Sequence, residues 1–159
     1  VNEEVKRSVT DALNQETVCS EECISPIITH EVAMHLSALE SDEKRIAEVT
    51  DAASQVIRGL RESQVPFHSY AIAEATRGII HGLVCAGLDV SYITRPATKG
   101  IREALYSLDC LSRETEAGMR AGVKQALNDL GMERLEDDQS LELPEYFANE
   151  SIVFGHPVL

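Results

Sequence analysis

Three stretches of this chain carry residue types that could do chemistry. The first is His30-Glu31-Val32-Ala33-Met34-His35. A zinc-binding helix needs two His four residues apart, so that both imidazoles reach one ion from one face. Here the spacing is five, which turns the two rings about 140° apart around a helix. A ferritin-type Glu-x-x-His fails as well, because Glu31 and His35 are four apart and no second copy occurs. His30, Glu31 and His35 therefore support only an alternative reading, a four-helix-type metal-binding protein. The preferred reading makes His30 a surface residue and His35 a polar member of a helix seam, and no metal ligand is assigned.

The second stretch is Cys19-Ser20-Glu21-Glu22-Cys23, a C-x3-C pair with His30 as the one nearby extra ligand. A redox pair or a share in a metal site is conceivable on a helix, but reduced, inert thiols are the default. Cys85 and Cys110 fall in apolar helical patterns and are expected as small buried hydrophobes. The third stretch places Arg77, His81 and Cys85 at four-residue steps on one helix face. A thiolate–imidazole nucleophile would also need an oxyanion site. The adjacent Gly78 and Gly82 lie mid-helix, where their N–H groups are already bonded. No catalytic residue and no cofactor is assigned, since the chain has no G-x-S-x-G, P-loop or dinucleotide glycine pattern.

The elements that would position these residues follow from internal echoes. Ala75-Thr76-Arg77-Gly78-Ile79 returns as Ala97-Thr98-Lys99-Gly100-Ile101 and, less sharply, as Met119-Arg120-Ala121-Gly122-Val123. Val9-Thr10-Asp11-Ala12 matches Val49-Thr50-Asp51-Ala52. Gly78, Gly100 and Gly122 are 22 residues apart, equal to six helical turns at about 3.67 residues per turn. The reading is a degenerate set of helical units sharing a small-residue face. On that face Gly78, Gly82, Gly100, Gly118 and Gly122 let neighbouring backbones pack closely.

Composition agrees with an all-α chain. Of 159 residues 43% are hydrophobic, yet there is no Trp and only seven Phe and Tyr, so the core is built from Ala, Gly, Val, Ile and Leu. The net charge of −13 argues against nucleic acid, whose phosphates require a basic stripe. No apolar run approaches the roughly 20 residues of a membrane span, so no integral membrane segment is expected. The chain is placed in the cytoplasm.

Taken in order, a first helix spans about 2–17, and Ser25-Pro26 opens a second. From 27 to 63 there is no Pro, and Val32, Leu39, Ile46, Ala53 and Leu60 recur every seven residues. One long helix over 27–63 is preferred to a break at Ser41, which could cap a second helix. A turn at Pro66 precedes a helix over 68–87, closed by Gly87. Pro96 allows either a kinked helix from Asp89 or a helix starting near Thr94. The second option is preferred, with a long helix over 94–130 closed by Gly131. The resulting domain covers 1–131. An acidic and aromatic arm over 132–159 is expected to pack on the bundle or on a second subunit, through Tyr146, Phe147, Ile152, Val153 and Phe154.

The Ala-Thr-x-Gly-Ile cadence, with Gly-Leu-Asp-Val between units, resembles the Gly/Ala-rich tandem helical repeats of uncharacterised bacterial proteins. It covers about Ile46 to Leu130 and implies no activity. The functional expectation is a non-catalytic helical assembly or partner-binding protein, self-associating, with a dimer as the expected state and an unknown protein partner. An amphipathic lipid- or surface-binding protein is the other alternative.

Overall fold

The computed structural model describes residues 3–15 and 21–132. Among these residues the chain is all-α with no strand. The helices are α1 (Glu4–Gln15), α2 (Ile24–Ser37, entered through a 3-10 turn at Glu21–Cys23), α3 (Asp42–Ala47), α4 (Val49–Glu62), α5 (Ser69–Cys85), α6 (Val90–Ser107) and α7 (Arg113–Asp129). The antiparallel all-α packing expected from the sequence is present. The two long helices are not, since each is divided. The expected arm residues Tyr146, Phe147, Ile152, Val153 and Phe154 lie outside the described residues.

The 27–63 stretch breaks between Ser37 and Asp42, at the Ser41 alternative. Ser41 is extended, and its hydroxyl accepts a hydrogen bond from the Lys44 N–H at 3.2 Å. Arg45 reaches back and donates to the Leu36 carbonyl at 3.1 Å and the Leu39 carbonyl at 2.9 Å. These bonds fill the acceptors that a continuing helix would have used. Ile46, a member of the seven-residue register, is exposed, so the register marks no continuous seam.

The 94–130 stretch differs at both its start and its middle. Its helix begins at Val90, because Asp89 caps it by accepting the Ser91 N–H at 3.0 Å, and Pro96 lies inside it. It ends at Ser107 where Asp109 takes φ 61°. The Asp109 N–H then donates to the Tyr106 carbonyl and the Cys110 N–H to the Leu105 carbonyl. This is the left-handed helix close usually made by glycine, as at Gly87 and Gly131. Ser112 restarts the chain with a reciprocal cap: its hydroxyl accepts from the Thr115 N–H at 3.2 Å, and Thr115 Oγ1 accepts from the Ser112 N–H at 2.9 Å.

Each main helix packs most extensively on the one two places along, α3 set aside. α1, α4 and α6 form one layer, and α2, α5 and α7 a second. The layers enclose a core that includes Ile28, Val32, Ile57, Leu60, Ile79, Leu83 and Ile101. Successive main helices run antiparallel, so helices within a layer run parallel, with Ser25 and Thr29 meeting Gly78 and Gly82 in step. α1, α4 and α6 begin at residues 4, 49 and 90, and α2, α5 and α7 at 24, 69 and 113. The hairpin unit thus recurs every 41 to 45 residues, and three hairpins are stacked side by side.

That period changes the meaning of the 22-residue glycine step. It is half a hairpin, one helix plus its connection, and it places Gly78, Gly100 and Gly122 on three different helices rather than along one face. Each glycine lies against the preceding helix of its own layer. A Cβ at Gly100 would overlap the Thr50 carbonyl oxygen, and one at Gly122 the Ala73 carbonyl oxygen. A Cβ at Gly118 would come within 2.5 Å of the Ser69 oxygen, at Gly78 within 2.7 Å of the Ser25 oxygen, and at Gly82 within 2.7 Å of Val32 Cβ. A threonine recurs at these contacts. Thr10 Oγ1 donates to the Gly59 carbonyl at 3.1 Å, Thr29 lies by Gly78 and Gly82, Thr50 by Gly100, and Thr76 by Gly122.

Candidate functional site

An open groove of about 650 Å³ lies across the α2–α5–α7 layer. The 3-10 turn and α2 contribute Glu22, Ser25, Pro26, Thr29, His30 and Ala33; α5 contributes Glu74, Arg77, His81 and Cys85; α7 contributes Asp129. The four α5 residues line it together because steps of three and four return to one helix face. The Gly78 and Gly82 contacts hold α5 close against α2 beneath the groove.

An ionic network crosses from α5 to α7. Arg77 donates to both oxygens of Asp129, at 2.6 and 3.2 Å. His81 Nε2 lies 2.8 Å from Asp129 Oδ2. A carboxylate can only accept, so that ring nitrogen carries the proton. Gln125 donates to Asp129 Oδ1 at 3.1 Å. Burial alone would raise the Asp129 carboxyl, but the bonds from Arg77, His81 and Gln125 outweigh it and hold the group at about 2, below its ordinary 3.8. Glu74 is the contrasting case. It is buried, and its contact with Arg77 is a longer ion pair of 3.7 Å. Desolvation pushes its carboxyl above the usual range, with the Arg77 charge pulling the other way.

A depressed carboxyl favours the folded state wherever it is ionised. The Asp129 contribution is full above pH 3.8 and is lost as the pH falls through about 2, and it amounts to roughly 2 kcal/mol at most. Chemical denaturation between pH 2 and 5 should show stability falling more steeply in the wild type than in Asp129→Asn. Equal slopes would mean that the network does not stabilise the fold.

The groove gathers some of the residues singled out by spacing and separates others. His30, Arg77, His81 and Cys85 all line it. Glu31 instead accepts a hydrogen bond from Ser8 Oγ at 2.9 Å on α1. His35 lines a separate cavity of about 90 Å³ with Glu4, Glu48, Asp51 and Gln55. Its Nε2 is buried and has no hydrogen-bond partner among the described residues. His30, Glu31 and His35 thus point to three places. Among the described residues no three His, Cys, Asp or Glu side chains are grouped to hold a metal. Cys85, expected in the core, is exposed; Cys23 and Cys110 are half-buried, while Cys19 lies outside the described residues.

Neither Glu74 nor Asp129 carries a sequence signal of its own. Glu74 lies three residues before Arg77, where a helical ion pair is ordinary. Asp129 is 48 positions from His81, and no local pattern links them. Another feature without a sequence signal is the buried pair of Arg102 on α6 and Glu116 on α7. It is bonded at 2.8 and 3.1 Å and extended by Arg120 Nε at 3.1 Å from Glu116.

Fold and groove together define a stack of helical hairpins with a polar groove on one layer. No protein-family model, curated protein or solved structure matches the chain. No described helix is long and apolar enough to cross a membrane.

Proposed function

We propose that this chain is a non-catalytic partner-binding module and that the groove over α2, α5 and α7 is where a partner segment lies. The observation that carries this reading is that every helix of one layer contributes to a single open concavity. Stacked helical hairpins present extended binding surfaces in this way, and the volume lies within the range of ligand sites. The strongest polar groups in the groove, Arg77, His81 and Asp129, are bonded to one another, which suits a rigid wall better than a set of groups that must exchange protons. Self-association belongs to the same reading. Light scattering across micromolar concentrations should give a dimer, and a monomer throughout would remove that part of it.

The groove itself is tested by displaying a random peptide library and selecting on the purified protein. Ala33, half-buried at the groove wall, is replaced by Trp to fill the space. Selected peptides should bind the wild type and lose about ten-fold in affinity on Ala33→Trp, equivalent to roughly 1.4 kcal/mol. Peptides that bind the folded variant equally well would remove the groove from the function.

A further inference from the structure

We propose that the groove receives a cationic side chain of a partner protein, a lysine ammonium or arginine guanidinium, seated against Glu74. The inference rests on the groove being a binding surface and adds the chemistry of what enters it. Three carboxylates line the groove (Glu22, Glu74 and Asp129) against one guanidinium, Arg77, and two imidazoles, His30 and His81. Arg77 is engaged by Asp129 at 2.6 Å and lies 3.7 Å from Glu74, so Asp129 is the neutralised acid and Glu74 the under-compensated one. Glu74 is only 9% exposed, and a buried carboxylate gains more from a close cation than a solvated one does. Thr29 adds to this. Its hydroxyl proton goes to the Ser25 carbonyl at 2.8 Å, so its oxygen offers lone pairs alone to a visitor. At Glu74 and Thr29 the polar capacity left is therefore acceptor capacity with negative charge, which an ammonium or guanidinium matches and a phosphate or carboxylate does not. The chain's net charge of −13 favours the approach of such a group at low salt.

The test uses the full chain and four probes: blocked Ala-Lys-Ala and Ala-Arg-Ala peptides, blocked Ala-Gln-Ala, and spermidine, each followed by amide chemical shifts. The Lys and Arg peptides should give saturable shifts at Thr29, Glu74 and Arg77. Glu74→Gln should weaken them about five-fold, and Glu22→Gln, on the exposed turn, about two-fold. Both variants are first checked for an unchanged fold by their spectra. Equal binding of the Gln peptide, or full binding by a folded Glu74→Gln protein, overturns the proposal. Binding of spermidine without the peptides overturns the assignment to a partner side chain. Should library selection yield Ala33→Trp-sensitive peptides lacking Lys and Arg, the groove stands as a binding surface and the cation inference alone falls.

Discussion

Gly122→Leu and Gly100→Leu are expected to lose at least about 3 kcal/mol of stability each, lowering the melting temperature by roughly 6–12 °C for a domain of this size. The reason lies in what the new atoms meet. At both positions the first side-chain carbon would occupy space already held by a backbone carbonyl oxygen of the neighbouring helix, Ala73 for Gly122 and Thr50 for Gly100. A flexible side chain could swing aside, but a carbonyl inside a helix moves only with its helix. Alanine isolates the effect. It gains about 1 kcal/mol of helix propensity over glycine, so a net loss on Gly→Ala can come only from the collision. Ala121→Leu is the control, since Ala121 is the exposed neighbour of Gly122 and should change stability by less than about 0.5 kcal/mol. If Gly122→Ala melts at or above the wild-type temperature, the close approach of α5 and α7 is wrong.

These glycines also show how far the sequence could be read. Their types and spacing were visible, and so was a small-residue face, but the 22-residue step has two geometric sources. Six turns of one helix and half of a helical hairpin give the same number, and only the location of the breaks separates them. One break was disguised by chemistry: Asp109 adopts the left-handed conformation at φ 61°, a position where glycine would have announced a helix end. The other, at the Ser41 alternative, is decided by a side-chain contact that no spacing rule carries. Ser41 is a fair cap, but Arg45 turning back onto the carbonyls of Leu36 and Leu39 is what completes the corner. Gly87 and Gly131, which keep the usual residue at the left-handed position, were read correctly as helix ends. The groove divides in the same way. His81 and Cys85 share a face by helical arithmetic alone, whereas Asp129 joins them only because α7 stacks beside α5.

Removal of the Glu116 carboxylate is expected to cost about 3 kcal/mol or more. Arg102 and Glu116 are 8% and 4% exposed, and their bond ties α6 to α7 within the last hairpin. Glu116 also accepts from Arg120, which is 38% exposed. Little direct backbone packing joins these two helices compared with the stacking inside each layer, so the ionic link is a large part of what closes the hairpin. Glu116→Ala leaves a buried guanidinium without the carboxylate that neutralised it and opens a void beside it. Arg102→Met with Glu116→Leu replaces both charges by apolar groups of comparable size and should recover most of the loss, because the desolvation cost of the pair disappears along with its attraction. Urea denaturation of Arg102→Met, Glu116→Leu and the double variant gives the coupling directly. A coupling energy near zero, with the single losses simply adding, would mean that the buried pair adds no net link and that the α6–α7 hairpin is held by apolar contacts such as Leu105 and Met119.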